Sequence, residues 1–413
     1  MNFIHLIKES LKIVIHGSKK YYAWLSVLFI LILWGGTGYL SQLKDGLLVT
    51  NMNDSISWAF YIGNFTFLVG VAAAAVLLVI PAYVYNWKPI KEVAIFGELL
   101  ALSALAMCML FVLVDLGNPL RVWHMIPIIG RLNLPQSLMS WDSVVLFFYL
   151  ILNLVVVTYL LFSIFNKKEP KKKLFTPLIL LSIPVAISIH TITAFIYNGL
   201  AGRPYWNSAL LAPKFIASAF CSGPAILIIL FQILKKTTTF EIKDEAIWKI
   251  AELMAYAMFI NLFFFASEVF KEVYSNTEHL VHLEYLFKGF GGNSDIVFYG
   301  WVSLIFSFVA FILFLVPKTR KNPITLNIGA VLIWLGVYIE KGIGLITPGF
   351  TPDVQGQLYV YRPTMIEIKV SVLVFSIGFL IFTLLTKLAI AIIFENFNID
   401  TLKKKKTLPS NTG

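Results

Sequence analysis

The stretch GELLALSALAMCMLFVLVDLGNPLRVWH, from Gly97 to His124, decides the fold of this chain. Its first part is an apolar run long enough to cross a membrane as one helix, because the hydrocarbon core is about 30 Å thick and a helix rises about 1.5 Å per residue. Gly117 and Pro119 then end the helix, since glycine is permissive and proline lacks the amide hydrogen. Three polar groups of the turn are therefore expected at a membrane edge: Asp115, Arg121 and His124.

The rest of the chain has the same character. Its 413 residues are 58% hydrophobic and only 13% charged, and the mean hydropathy is +0.81. A soluble domain is much less apolar. The sequence therefore predicts an all-α, polytopic integral membrane protein with about ten transmembrane helices, because a spanning helix needs about 20 apolar residues. The predicted spans are 21–40, 57–85, 93–115, 143–165, 174–196, 211–234, 246–274, 298–316, 324–346 and 366–394.

The distribution of Lys and Arg predicts the orientation of these spans. The cations concentrate in both termini and in the loops after the even-numbered spans. Positively charged loops stay in the cytoplasm, so both termini are expected inside and the turn after span three outside. The net charge of +11 is thus interpreted as a topology signal and not as a sign of nucleic-acid binding.

Three regions are predicted along the chain. Residues 1–20 form a cytoplasmic amphipathic segment, in which apolar residues alternate with lysines as in a helix lying on a membrane surface. Residues 21–396 form one transmembrane domain, and residues 397–413 form a basic cytoplasmic tail.

An internal repeat is predicted within the transmembrane domain. GELLALSALAMCMLFVLVDLG from Gly97 resembles AELMAYAMFINLFFFASEVFK from Ala251. Four spans separate the two copies, an even number, so the copies run in the same direction. Spans two to five and six to nine are therefore expected to form two parallel four-helix bundles, flanked by one helix on each side.

Ionisable and polar side chains within the spans are functional candidates, because they are costly in hydrocarbon. On span five, the spacing of three and four residues places three such side chains on one helix face: His190, Thr193 and Tyr197. Most candidates are expected toward the outer side: Asp115, His190, Thr193, Tyr197, Glu268, Glu340, Lys341, Glu367 and Lys369. Two are expected toward the inner side, where they fit either a proton entrance or pairs with lysines: Glu98 and Glu252.

Some candidates also fit purely structural roles. His190 resembles a core histidine that bonds a neighbouring hydroxyl, as membrane helices often use histidine and threonine between helices. Arg121 and His124 fit side chains that reach toward lipid headgroups. Glu340 and Lys341 fit interface anchors.

Metal chemistry is not expected in this chain. Cys108 and Cys221 are both predicted within helices and are too few for an iron–sulfur cluster, which needs four thiolates. A membrane haem needs paired axial histidines, but only His190 is expected to be buried in the bilayer. His279 and His282 form an HxxH pair in an outer loop, which is a weak metal signal by itself.

A carboxylate, an imidazole and an arginine at the outer side suit the oxidation of a lipid-soluble quinol. That reaction releases two electrons and two protons, and the protons need nearby acceptors such as Asp115 or His190. The electrons need a partner protein, since no redox centre is predicted here. Two other classes stay open: a secondary transporter of a small anion, and a passive membrane anchor.

Several motifs resemble one known family. VDLGNPLRVWH, followed by MSWDS at 139–143, resembles the DLGRP…WH signature of the NrfD and polysulfide-reductase (PsrC-like) membrane subunits. IGNFTFLVGVAAAAVLLVIPAYVY from Ile62 and SIHTITAFIYNGLAGRPYWNSALLAPKFIASAF from Ser188 extend the resemblance. The chain looks like the ten-helix branch that contains the DsrP, Hmc and quinone-reductase-complex membrane subunits.

The resemblance implies a quinone-interacting inner-membrane subunit of a prokaryotic respiratory complex, without a haem or an iron–sulfur cluster of its own. It also implies a periplasmic iron–sulfur subunit of ferredoxin type, and further redox subunits that carry molybdopterin or cytochrome. The predicted catalytic residues are Asp115, His190, Glu98 and Glu268. The predicted quinone-binding residues are Asp115, Arg121, His124, His190, Tyr197 and Arg203. Asn118 departs from the family pattern, which often has arginine there.

Overall fold

The computed structural model describes residues 3–394, except 74, 169, 239–241, 278 and 354. In that part of the chain, ten helices are long and apolar enough to cross a membrane, and no β-strand is present. The predicted all-α polytopic fold is thus confirmed. The ten helices are α1 Lys19–Val49, α2 Phe60–Val84, α3 Ala94–Asp115, α4 Leu138–Phe165, α5 Lys172–Asn198, α6 Leu211–Thr237, α7 Asp244–Ser275, α8 Val297–Leu315, α9 Pro323–Phe350 and α10 Met365–Ile393.

Eight of these helices form two bundles of four. In the first bundle, α2 packs against α3 and α5, and α4 also packs against α3 and α5. In the second bundle, α6 packs against α7 and α9, and α8 packs against the same two helices. The order of neighbours is therefore the same in both bundles, as the predicted sequence repeat requires. Helices α2 and α6 form the main contact between the bundles.

The two remaining helices lie together and not on opposite sides. Helix α1 packs along α10, and α10 in turn packs along α3 of the first bundle. Small residues allow this close approach: a Cβ atom at Gly35 would lie 2.5 Å from the carbonyl oxygen of Lys369, and one at Gly38 would lie 2.7 Å from the Lys369 Cβ. The prediction of one flanking helix on each side is wrong, because positions at the two chain ends say nothing about which helices pair.

The loops divide the protein into two faces. The loops after α1, α3, α5, α7 and α9 form the long-loop face, and those after the even-numbered helices form the short-loop face. Ion pairs connect neighbouring loops on each face. On the long-loop face, Arg362 pairs with Asp295 at 2.9 Å, and on the short-loop face Lys243 pairs with Glu92 at 3.3 Å. Which face lies outside the cell stays a prediction from the Lys and Arg distribution.

The N-terminal segment contains a helix, Phe3–Ile15, that packs against α10 and α4. Tyr21 and Tyr22 of α1 donate hydrogen bonds of 2.8 Å to the carbonyls of Val14 and Ile15. The position of the helix Phe3–Ile15 on a membrane surface stays a prediction. The boundaries of the three predicted regions, 1–20, 21–396 and 397–413, also stay predictions. The predicted tail at 397–413 lies outside the described residues.

Helix α9 is broken near the long-loop face. The helical part Pro323–Lys341 ends at Gly342, and a second part, Ile343–Phe350, continues from there. Such breaks at membrane depth need other groups to bond the freed backbone. Side chains from two loops do this by donating hydrogen bonds to carbonyls of the second part: Tyr205 to Gly344 (3.0 Å), Trp206 to Leu345 (2.9 Å), His282 to Pro348 (2.7 Å) and Arg203 to Phe350 (3.0 Å).

Candidate functional site

Two buried titratable groups lie in the first bundle, toward the long-loop face. Asp142 of α4 is 5% exposed, and its Oδ1 accepts a hydrogen bond of 2.7 Å from Thr193 Oγ1 of α5. His190 lies one helical turn before Thr193 and is 2% exposed. Neither of its ring nitrogens has a hydrogen-bond partner among the described residues. A buried carboxylate and a buried imidazole without a described hydrogen-bond partner thus lie on two neighbouring helices.

Tyr197 continues the same face of α5. Its hydroxyl lies 2.5 Å from Thr66 Oγ1 of α2, and the Thr66 hydroxyl donates its own proton to the carbonyl of Ile62 at 2.8 Å. Tyr197 is therefore the donor of the pair. Asp142, His190, Thr193, Tyr197 and Thr66 are called the first-bundle cluster below. Its α5 members share one buried face, as their spacing predicts.

Asp115 ends α3 beside a second group of hydrogen bonds. Its Oδ1 is buried and has no hydrogen-bond partner in the described part of the chain. Next to it, Gln42 of α1 donates to the carbonyl of Val114 at 2.5 Å and accepts from the Tyr61 hydroxyl at 2.7 Å. The contact between α1 and α3 therefore holds the last turn of α3, and with it Asp115, in place.

A further carboxylate lies near Asp115. Glu367 at the start of α10 is fully buried and interacts electrostatically with Asp115. Glu367 accepts hydrogen bonds from the backbone amides of Thr364 and Asn51, at 2.8 and 3.1 Å, and from the Tyr361 hydroxyl at 2.5 Å. Thr364 bonds back to the Glu367 amide, which forms a capping box. Glu367 thus has structural partners, whereas Asp115 keeps a free oxygen.

The predicted cations of the turn lie away from the first-bundle cluster. Arg121 is exposed in the 3-10 segment Pro119–Met125, and His124 is half-buried with its ring stacked on Trp123, 3.8 Å between centroids. Arg203 bonds Phe350 and lies over its ring at 4.8 Å. The described contacts thus give Arg203 a role in holding α9, and they leave Arg121 and His124 facing the long-loop side.

Glu268 belongs to a charged group in the second bundle. Lys214 of α6 pairs with Glu268 at 3.3 Å and with Glu340 at 3.7 Å. Lys341 is 5% exposed, and its ammonium lies 3.4 Å from the centroid of the Phe215 ring. The interpretation of Lys341 as an interface anchor is therefore wrong, because the break at Gly342 ends the helix inside the protein and not at its lipid-facing edge.

The two carboxylates predicted for the inner side have different surroundings. Glu252 lies near the short-loop face, where it pairs with Arg320 at 3.4 Å and with Lys249 at 3.3 Å. Glu98 is buried in α3, and its Oε2 has no hydrogen-bond partner within the described ranges. Pairing with basic residues thus applies to Glu252, while Glu98 keeps a free acceptor.

Asp142 was missed as a candidate although it belongs to the motif MSWDS. The hydropathy pattern places the start of the fourth span at 143, so Asp142 falls in a predicted loop. Helix α4 instead begins at Leu138, where Ser137 caps it by accepting a hydrogen bond from the amide of Ser140. The cap adds one polar turn to the span, and this turn buries Asp142.

Asn64 of α2 was also missed. It accepts a hydrogen bond of 2.6 Å from Tyr338 of α9 and donates one of 3.1 Å to Ser371 of α10. It thus connects both bundles with α10. The only sequence signal is an amide inside the apolar motif IGNFTFLVG, which hydropathy alone does not separate from its neighbours.

The described residues contain no group of three or more His, Cys, Asp or Glu placed to hold a metal ion. Cys108 and Cys221 are buried within α3 and α6, as predicted. His282 of the HxxH pair donates through Nδ1 to the Pro348 carbonyl, since a carbonyl can only accept. Burial lowers the pKa of His282 below its usual value, because it disfavours the charged ring.

The chain matches known proteins over most of its length. The family model "Polysulphide reductase, NrfD" matches residues 48–351. The chain is 25% identical to a putative dimethyl sulfoxide reductase membrane subunit of Halobacterium salinarum, over 87% of this chain and 88% of that protein. It is 23% identical to a selenate reductase subunit of Mesobacillus selenatarsenatis, over 90% and 94% of the two chains. It is also 23% identical to the "Hdr-like menaquinol oxidoreductase integral membrane subunit" of Archaeoglobus fulgidus, over 92% and 97%.

Proposed function

This chain belongs to the polysulphide reductase NrfD family, and from that premise we propose that it is the membrane subunit through which a respiratory complex exchanges electrons with quinone. Its relatives include membrane subunits of reductases and of a menaquinol oxidoreductase. A subunit of this kind binds the quinone headgroup and handles its protons, while another subunit carries the electrons.

The first-bundle cluster and Asp115 handle the protons in this proposal. Oxidation of a quinol to a quinone breaks two O–H bonds and removes two electrons. His190 and Asp115 have free acceptor atoms in buried positions and take up the two protons, and Asp142 is a third acceptor close by. Tyr197 and Thr193 hold the cluster in position. The strongest support is His190, a buried imidazole whose two nitrogens have no hydrogen-bond partner among the described residues.

The two electrons pass to an iron–sulfur subunit of ferredoxin type that docks on the long-loop face, on the periplasmic side; both termini are then cytoplasmic. The loop after α3 supports docking there. It carries exposed apolar side chains, among them Ile128 at 102% and Leu120 at 87% exposure, beside exposed Arg121. Exposed apolar groups that cluster in this way mark contacts with another protein or with the membrane, and the proposal assigns these to the iron–sulfur subunit. Further redox subunits, with molybdopterin or cytochrome, complete the complex.

Two variants test the proton acceptors. We expect Asp115→Asn and His190→Ala to lower quinone turnover by about 10²- to 10⁴-fold, the usual contribution of a positioned proton acceptor. The assay uses the tagged complex purified in mild detergent, with quinone turnover, bound iron and co-purified subunits measured together. Normal assembly with normal turnover in both variants would remove these residues from the site.

Proton movement across the membrane is a second part of the proposal. In this proposal Glu98, which lies in the half of α3 toward the short-loop face and has a free carboxylate oxygen, loads protons from that face. Glu268 bonds Lys214 and contributes to the charged group of the second bundle instead.

The alternative function, transport of a small anion, is supported by the break in α9, because broken helices also line transporter sites. It predicts that the chain alone, reconstituted in proteoliposomes, takes up a labelled anion. Redox turnover that requires an iron–sulfur subunit, without such uptake, supports the exchange of electrons with quinone.

A further inference from the structure

A cleft lies inside the second bundle, separate from the first-bundle cluster. It is a partly open pocket between the helices. Helices α6, α7, α8 and α9 and the short helix His279–Phe287 line it, mostly with leucine and aromatic side chains. We call it the second-bundle cleft. Five of its polar lining residues carry the inference: Lys214, Asn261, Ser307, Glu340 and Lys341.

The charges around the cleft balance. Lys214 lies between two carboxylates, Glu268 at 3.3 Å and Glu340 at 3.7 Å. Lys341 is the second cation, and within the described ranges no carboxylate lies within ion-pair distance of its ammonium, which contacts the Phe215 ring. Glu268 does not line the cleft, but it pairs with Lys214, and with it the two cations and two anions leave no net charge. This balance favours a neutral ligand over an anion such as a lipid phosphate.

Three buried polar atoms at the cleft have no hydrogen-bond partner in the described part of the chain. They are Oε1 of Glu340, Oδ1 of Asn261 and Oγ of Ser307. Asn261 and Ser307 are 2% and 3% exposed. Glu340 Oε1 has only the 3.7 Å ion pair, because its second oxygen accepts from Asn261 Nδ2 at 3.1 Å. Buried polar atoms are normally bonded, so a group of free atoms around one cleft indicates a ligand.

The free atoms specify what this ligand presents. Glu340 and Asn261 offer acceptors and need hydroxyl or amide donors, while the Lys341 ammonium is a donor and needs an oxygen. An aromatic dihydroxy ring has hydroxyl groups that both donate and accept, and its apolar body suits the leucine and aromatic lining.

We propose that the second-bundle cleft is a second binding site for the neutral, reduced headgroup of a membrane quinol, held by Lys341, Asn261 and Glu340. The inference rests on the proposed function and adds a site that is distinct from the first-bundle cluster.

Photoaffinity labelling tests the second site. The probe is a naphthoquinol with a short alkyl diazirine, kept reduced, and it is applied to the purified complex in lipid nanodiscs. We expect labelled peptides from α7 or α8 in addition to any from α2 to α5, and loss of both with excess unlabelled naphthoquinol. Labelling of α2 to α5 alone, with normal turnover, would overturn this inference and leave the proposed function intact. A complex that shows neither quinone turnover nor any labelling would overturn both this inference and the proposed function.

Variants assign the headgroup contact. Lys341→Met removes the ammonium at nearly constant volume and is expected to weaken labelling of α7 and α8 on the order of tenfold, as for one lost charge-assisted hydrogen bond. The matched control is Lys369→Met, because Lys369 also lies over an aromatic ring, Trp34, at 5.6 Å, but far from the cleft in the fold. Asn261→Leu gives an independent test if Lys341→Met does not fold. Unchanged labelling of α7 and α8 in folded Lys341→Met and Asn261→Leu would overturn the proposal. A phospholipid that occupies the cleft and is not displaced by naphthoquinol would also overturn it.

Discussion

Gly349 lies directly against the indole of Trp206: a Cβ atom at 349 would overlap Cε2 of that ring. The indole donates its hydrogen bond to the Leu345 carbonyl, so it cannot rotate away without losing that bond. Any side chain at 349 therefore displaces either the indole or the second part of α9. Glycine is required here by space, since its backbone angles are ordinary for a helix.

We expect Gly349→Ala to lower the free energy of unfolding by about 1 to 3 kcal/mol, the usual cost of overpacking a buried site. Thermal unfolding of the purified chain in detergent measures the change. Gly36→Ala is the matched control, because a Cβ atom there meets nothing within 4 Å. Equal melting temperatures for Gly349→Ala and the control would show that the segment adjusts freely.

The second prediction concerns Asp142, a proposed proton acceptor that the sequence did not reveal. Asp142→Asn keeps an acceptor for Thr193 but removes the carboxylate, so we expect turnover to fall by about 10²-fold or more while stability changes by less than about 1 kcal/mol. Steady-state quinone turnover and thermal unfolding are measured on the same preparation.

Thr193→Val is the control for Asp142, since it removes the hydrogen bond and leaves the carboxylate. We expect it to lower turnover much less than Asp142→Asn does. A larger effect of Thr193→Val would mean that Asp142 serves to hold α4 against α5 and does not accept protons.

The third prediction concerns pH and His282. Because burial lowers the pKa of His282 in the folded protein, the unfolded chain binds more protons on this residue below its ordinary pKa of about 6.5. Its stabilising contribution is complete above that pH and is lost as the pH falls from there toward the lowered pKa. Melting temperatures measured from about pH 8 down to about pH 5 follow the loss, which begins as the pH falls below about 6.5.

His282→Asn is expected to flatten this pH dependence, because the amide still donates to the Pro348 carbonyl but does not titrate. The control is His16→Asn, since His16 is exposed. The same slope in wild type and His282→Asn would assign the pH dependence to other groups.

The fourth prediction separates Glu98 and Glu252, the two carboxylates predicted for the inner side. Glu252→Gln removes ion pairs to Lys249 and Arg320 that are partly exposed, so stability should change by about 1 kcal/mol or less and the proton-to-electron ratio should stay constant. Glu98→Gln should lower that ratio. Proton release and quinone turnover by reconstituted complex give both quantities, and equal ratios in the two variants would exclude Glu98 as the proton entrance.

Hydropathy predicted the spans well because the length of an apolar run is a local property. The stripe of His190, Thr193 and Tyr197 was predicted for the same reason, since helical spacing fixes which residues share a face. Asp142 was missed because the apolar run begins only at 143. The polar turn that Ser137 caps belongs to the helix but not to the apolar run, so hydropathy does not detect it. The pairing of α1 with α10 was not predictable either, because it depends on close contacts between Gly35, Gly38 and a helix more than 300 residues later.

The role of Lys341 shows a different limit. Its burial depends on the break in α9, and the break is stable only because side chains from two distant loops bond the freed carbonyls. No pattern around Lys341 itself contains that information. A charged pair near the end of an apolar run, such as Glu340 and Lys341, is therefore ambiguous between a lipid-facing anchor and a buried site.

The bonds that hold the second part of α9 also impose an order on biosynthesis. Tyr205 and Trp206 find their backbone partners 139 positions further along the chain. At synthesis rates of about 5–20 residues per second, the loop after α5 waits on the order of ten seconds for them. During that interval Trp206 has no partner for its indole nitrogen from α9, so a nascent chain paused before α9 should be a preferred target of quality-control proteases.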